Sequence, residues 1–274
     1  MNMRRCCLVA VILVSACSNP PYPQGSIAAL FPQGPRPELK RASFDGRTLQ
    51  WAELAGAGNT PILFVHGSPG DWQAWAHYLA APELAAYGAR IAVDRPGFGG
   101  SQAGEVMTDL RAQAALLAQL LPVGRPAIVV GHSLGGPLVA WLAIDHPDKV
   151  CAAVMVAGSV ASELEAPRWY NRLADTWLVQ RLAPAEMLWS NREMLSLVPE
   201  LRRLEAELPR LARPLVAIQG DKDQLVDPRT VDVLEARAPK PMVHVVRAIG
   251  EGHFVLWERP EIVLHEITAL QCQH

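Results

Sequence analysis

From about residue 60 the chain repeats short apolar runs that end in glycine or acid. They read PILFVHG (61–67), RIAVDRPG (90–97), AIVVGHS (127–133), CAAVMVAGS (151–159), PLVAIQGDKD (214–223) and MVHVVRAIGEGH (242–253). Continuous apolar runs of this length suit strands covered on both faces, as in a parallel sheet. Helix-like stretches fall between them, near 72–86, 105–121, 135–146, 227–237 and 255–270. The alternation predicts an α/β fold, a mostly parallel sheet flanked by helices, with functional residues at the strand C-termini. Ahead of it, residues 39–55 read as a hairpin turning at Asp45-Gly46.

The rhythm breaks over 160–211, which carry no strand signal but hold Trp169, Tyr170, Trp177, Met187, Trp189 and Met194 among charged residues. This interval is expected to be an inserted helical cap over the C-terminal edge of the sheet, splitting the core into 38–159 and 212–274. Its aromatics, Trp169 and Trp177 foremost, either line a substrate pocket or pack the cap onto its base.

The start of the chain differs from the rest. Residues 17–37 are dense in proline and poor in charge, a composition that makes an extended, semi-rigid tether. The alternative is an arm lying across the domain through Ile27, Leu30 and Phe31. Residues 1–16 combine Arg4 and Arg5 with the apolar run LVAVILV (8–14) and small residues, the marks of an export signal. That run is far below the roughly 20 residues a spanning helix needs. Val14-Ser15-Ala16-Cys17 resembles the lipobox of bacterial lipoproteins. The resemblance implies cleavage before Cys17, acylation of that cysteine and attachment to a membrane. With Ser18 and not Asp next, it implies the periplasmic side of the outer membrane.

Composition narrows the function classes. Half of the 274 residues are apolar, 19% are charged and the formal charge is −2, ordinary for one globular domain with a full core. No basic run points to nucleic acid, and neither a repeat nor a metal-type Cys/His spacing stands out. Past the signal only Cys17, Cys151 and Cys272 remain. The unpatterned Cys151 and Cys272 read as independent buried thiols, with a disulfide between them the alternative in an oxidising compartment.

The chemistry centres on Gly-His-Ser-Leu-Gly, 131–135, which fits the G-x-S-x-G nucleophile elbow between a strand and a helix. Such a turn holds its serine in a strained conformation, and side chains at 131 and 135 would clash. A nucleophilic serine needs a base and an orienting acid. Gln219-Gly220-Asp221-Lys222-Asp223 leaves one strand, and Gly252-His253 leaves the last. The order Ser…Asp…His is that of one serine-hydrolase fold class. Together HGSPG (66–70), DRPGFGGS (94–101), GHSLGG (131–136), GDKDQLVDP (220–228) and GHFVLWERPE (252–261) resemble the α/β-hydrolase superfamily from about 60 to 270.

That resemblance implies a triad of Ser133, Asp223 and His253. The pattern G-x-x-D-x-x-V places Asp223 between Gly220 and Val226, leaving Asp221 and Asp227 to the turn and the next helix. His66 and His132 are expected in structural hydrogen bonds. The oxyanion hole would be the backbone N–H groups of Leu134 and, by resemblance, Ser68. Trp72, Trp75 and Phe98 are pocket candidates, with core packing the alternative. The implied activity is hydrolysis of a small carboxylic ester or lactone through an acyl-enzyme, needing no metal or organic cofactor. Proline iminopeptidases share the HGSPG loop, but their elbow usually has Trp where this chain has Leu134. A non-catalytic ligand-binding protein on the same fold is the reading from another class.

Overall fold

The computed structural model describes residues 21–101, 106–167 and 169–272, without the side chains of 169, 170 and 178. Eight strands form one sheet: β1 (Glu38–Phe44), β2 (Arg47–Leu54), β3 (Ile62–Val65), β4 (Arg90–Val93), β5 (Ala127–His132), β6 (Val150–Val156), β7 (Leu215–Gly220) and β8 (Val243–Ala248). Their order is β1-β2-β4-β3-β5-β6-β7-β8. The β1–β2 and β2–β4 pairs are antiparallel and all the others parallel. The hairpin β1–β2 turns at Asp45 and Gly46, both at positive φ, as a two-residue turn matched to strand twist requires.

The apolar runs explain the layering. Successive side chains of a strand face opposite sides, so each buried strand supplies two cores. Leu63, Val65, Val129, Ala153 and Met155 enter one, while Ile62, Phe64, Val130, Val154 and Val156 enter the other. The first core is closed by the helices Leu110–Leu117 and Gly135–Asp145, the second by Ala76–Ala80 and Pro260–Ala269. The expectation of two covered faces fails at β8. It is an edge strand, its positions are mostly half-buried, and His244 and Arg247 are exposed.

In chain order the α-helices are α1 (Ile27–Leu30), α2 (Ala76–Ala80), α3 (Leu110–Leu117), α4 (Gly135–Asp145), α5 (Trp169–Ala174), α6 (Trp177–Leu182), α7 (Ala185–Glu207), α8 (Thr230–Arg237), α9 (Val255–Glu258) and α10 (Pro260–Ala269). Helices α5 to α7 all lie between β6 and β7.

Two sequence expectations are corrected here. From Tyr22 onward the proline-rich segment is a docked arm. Phe31 is 1% exposed, the Tyr22 ring packs tilted against Trp257 with centroids 5.2 Å apart, Ser26 caps α1, and the Gly25 N–H donates to Gln73 Oε1 at 2.8 Å. Burial of Tyr22 and Phe31 in the second core outweighs the stiffness of the prolines. The export signal and Cys17 lie outside the described residues. Cys151 and Cys272 are paired in a disulfide spanning 121 residues of sequence, because α10 packs back along β6 and brings the chain end to the start of that strand.

Candidate active site

Ser133 follows β5 near the middle of the sheet, and its φ of +52° is left-handed. Such a backbone is costly for a side chain bearing a Cβ, and this one is held by its surroundings. The Ser133 N–H donates to Val156 O at 2.9 Å, and Ser133 O accepts from Gly136 N at 2.8 Å. The flanking glycines are obligatory on steric grounds. A Cβ at Gly131 would lie 2.1 Å from Gly135 O, and one at Gly135 would lie 2.3 Å from Val65 O. The Ser133 hydroxyl is partly exposed and takes no hydrogen bond among the described residues.

Asp223 leaves β7 with every lone pair engaged. Its Oδ1 accepts the N–H groups of Leu225 at 2.8 Å and Val226 at 2.9 Å. Its Oδ2 accepts Gln219 Nε2 at 3.0 Å and His253 Nδ1 at 2.9 Å. Burial pushes the Asp223 carboxyl up, but His253 and the two N–H groups outweigh it and hold the group below the usual carboxylate range. An ionised Asp223 fixes the proton of neutral His253 on Nδ1 and leaves Nε2 as a free base.

His253 follows β8 and is brought to the elbow by its neighbours. The ring of His132 lies 5.0 Å from it, and His132 Nε2 donates to His253 O at 3.0 Å. Behind it Tyr78 Oη donates to Leu256 O at 2.6 Å and Trp257 Nε1 to Ala74 O at 2.9 Å. Asp223 and His253 are thus in direct contact, with Ser133 adjoining through His132. No Ser133–His253 hydrogen bond is present among the described residues. The remaining acids do local work: Asp221 Oδ1 accepts Gly250 N, and Asp227 accepts the N–H and side chain of Arg229.

The loop after β3 faces the elbow. An added Cβ at Gly67 would stand 2.9 Å from Ser133 Cβ. Neither Ser68 N–H nor Leu134 N–H has a partner among the described residues, and Leu134 immediately precedes α4, where the helix dipole is positive. Asp94 closes the neighbouring DRPGFGGS turn, accepting Trp72 N, Gly100 N and Gln50 Nε2, each at 2.8 Å.

His66 and His132 are buried and neutral. Arg95 N–H donates to His66 Nε2 at 3.0 Å, so its proton sits on Nδ1 and goes to Gly67 O at 2.7 Å. Burial, with the Arg95 charge added, drives His66 well below the ordinary value, and burial with the His253 charge takes His132 to about 3. A histidine depressed in the folded state costs stability as pH falls below its unfolded value, because only the unfolded chain then binds the proton. Between pH 7.5 and 5 His132 is expected to cost about 2 kcal/mol and His66 to add a loss of the same sign, while Asp71, raised by burial to about 6, returns about 1 kcal/mol. Urea unfolding at the two pH values measures the net loss; a protein equally stable at both contradicts it.

The pocket candidates are corrected. Trp75 and Phe98 have no exposed surface: Trp75 stacks on Phe64 at 5.0 Å, and Phe98 lies under the Arg95 guanidinium at 4.8 Å. Trp72 is buried too, and Trp177 is 75% exposed on α6. The side chain of Trp169 lies outside the described residues. A cavity of about 380 Å³ adjoins Asp223, lined also by Leu164, Ala166, Gln224 and Pro228, but neither Ser133 nor His253 borders it. Among the described residues no cluster of three or more His, Cys, Asp or Glu side chains could hold a metal ion.

One element was not anticipated. Glu193 of α7 is wholly buried and meets Arg95 through both oxygens, at 2.6 and 3.0 Å. It also accepts Ser68 Oγ at 2.5 Å. The signal was present in the spacing: Glu193 and Glu200 stand seven residues apart, on one helix face with Leu197, Leu201 and Leu204.

Residues 60–190 match the family described as alpha/beta hydrolase fold, a span that holds the elbow and strands β3 to β6. This chain has the α/β-hydrolase fold. Solved structures with this fold include a membrane phospholipase A described as a bacterial virulence factor, with a TM-score of 0.63 and 21% identity over 97% of both chains. A serine hydrolase involved in carbazole degradation has a TM-score of 0.63 and 18% identity over 85% of this chain and 98% of its own. Among curated relatives, a dihydrolipoyllysine-residue acetyltransferase component of an acetoin cleaving system from Pseudomonas putida is 32% identical over 211 residues, 73% of this chain and 55% of its own length. A pimeloyl-[acyl-carrier protein] methyl ester esterase from Pectobacterium carotovorum is 35% identical over 112 residues, 41% of this chain and 42% of its own. The chain spans about half the length of these curated relatives.

Proposed function

We propose that this α/β-hydrolase cleaves a small carboxylic ester or lactone through an acyl-enzyme on Ser133. The observation that carries the reading is the Asp223–His253 pair set beside a serine held in the left-handed region. In this mechanism His253 Nε2 takes the Ser133 proton as Oγ attacks the carbonyl carbon. The oxyanion then receives the N–H groups of Ser68 and Leu134. His253 passes the proton to the departing alcohol, and a water activated by the same nitrogen releases the acid. The esterase among the curated relatives supports the choice of ester over amide.

The same proposal places the protein in the bacterial envelope, acylated at Cys17 on the periplasmic side of the outer membrane. A Cys151–Cys272 disulfide suits such an oxidising compartment. Since the arm docks from Tyr22, the five-residue step from Cys17 spans at most about 18 Å, which would hold the domain close to the bilayer. Helices α5 to α7 would serve as the cap.

Signal-free protein and its Ser133→Ala variant, assayed on p-nitrophenyl esters from acetate to palmitate and on proline p-nitroanilide, test the reading. Ester turnover that falls at least about 10⁴-fold in the variant supports it. Turnover of the anilide alone would move the assignment to an aminopeptidase. No turnover of any substrate by folded protein would favour the ligand-binding reading.

A further inference from the structure

The long inserted helix touches the candidate oxyanion loop through one buried carboxylate. Glu193 and Arg95 are both 0% exposed and form a two-bond fork, which Gln113 completes by accepting from Arg95 Nη1 at 3.1 Å and donating to Glu193 Oε1 at 3.2 Å. From this centre two separate bonds reach the same short stretch of backbone. Arg95 Nη2 donates to Gly67 O at 2.9 Å, and Glu193 Oε2 accepts Ser68 Oγ at 2.5 Å.

The geometry of the peptide gives these bonds their meaning. Among the described residues the cis bonds are Ser68-Pro69 and Lys240-Pro241, so Gly67-Ser68 is trans. In a planar trans amide the C=O and the N–H point in opposite directions. Tying Gly67 O to Arg95 and to His66 Nδ1 therefore aims the Ser68 N–H away from the ion pair. A flip of this peptide would break both bonds and turn the carbonyl to where the donor now stands.

We propose that the Arg95–Glu193 pair is a positioning device for the oxyanion hole, locking the Gly67-Ser68 peptide so that the Ser68 N–H stays presented beside Ser133. The proposal rests on the serine-hydrolase reading and adds to it that the inserted helix helps to build the catalytic geometry. A purely structural clamp would not need this arrangement. The same helix is already fastened to the core by Glu200, which accepts Leu110 N at 2.9 Å, and by Glu205, which accepts Ser162 N. Neither of those carboxylates touches the elbow or the loop after β3. Glu193 and Arg95 act through the peptide and not on substrate, so they are positioning residues.

The test compares three variants with the wild type on one p-nitrophenyl ester and with a fluorophosphonate. Glu193→Gln removes the charge while keeping the shape. Arg95→Met with Glu193→Met replaces the whole pair by apolar side chains of similar volume, an exchange that buried pairs commonly tolerate. Glu200→Gln loosens the helix without touching the site. For the first two, the expected result is kcat and the phosphonylation rate down at least about tenfold, as when an oxyanion donor is lost. KM stays within about threefold. Glu200→Gln keeps the wild-type kcat. Wild-type kcat in a folded Glu193→Gln protein or a folded double-Met protein overturns the proposal, as does a loss confined to KM. A wild type that neither labels nor turns over would instead overturn the underlying hydrolase reading.

Discussion

Asp223→Asn is expected to lower kcat by roughly 10⁴-fold while leaving the fold intact, the scale seen when the acid of a serine triad becomes an amide. The site dictates which way the amide points. Oδ1 of Asp223 accepts two backbone N–H groups, from Leu225 and Val226, so the asparagine must keep its oxygen there. Its NH₂ then occupies the Oδ2 position, facing His253 Nδ1 and Gln219 Nε2. Nδ1 is forced to accept, the imidazole proton moves to Nε2, and the base that the proposed mechanism requires is gone. Steady-state kinetics with thermal unfolding as the control measure this directly. A folded variant with less than a tenfold loss of kcat would remove Asp223 from the mechanism.

Arg95→Met alone is expected to destabilise the protein by about 3–5 kcal/mol, because it strands the Glu193 carboxylate in the interior. The guanidinium also supports Gln113 and Gly67 O, and its loss leaves those acceptors short of a donor. The paired replacement at 95 and 193 should recover most of that loss, since no uncompensated charge remains. Urea unfolding of the single and double variants gives both numbers. A single-variant loss below about 1 kcal/mol would show that the carboxylate is satisfied by Ser68 and Gln113 without arginine.

Where the chain obeys local rules its fold can be read directly. Apolar runs such as Ile62–Val65 are buried on both faces because parallel strands are covered by helices, and the Gly-x-Ser-x-Gly spacing mirrors a turn in which any side chain at 131 or 135 would collide with backbone. Asp223 is singled out among three neighbouring acids only through the pattern of the superfamily the chain resembles, and it accepts the N–H of that pattern's Val226. What escapes such reading depends on tertiary placement. That β8 is an edge follows from strand order, and Cys151 meets Cys272 only because α10 folds back along β6. Tyr22 and Phe31 sit in a segment whose prolines suggest a free tether, yet the core has room for their rings. Trp75 and Phe98 were attractive as pocket walls but serve as filling beneath the site. The spacing of Glu193 puts it on the apolar face of its helix but cannot name the partner that makes its burial tolerable, which lies 98 residues earlier in the chain.

The most direct measurement is to locate the covalent adduct. Wild-type protein incubated with a fluorophosphonate and digested should carry the label on the peptide containing Gly131–Gly136, at Ser133, with the label lost in Ser133→Ala and slowed in Asp223→Asn. Label on another residue, or a folded protein that takes none, would contradict a catalytic role for the elbow serine.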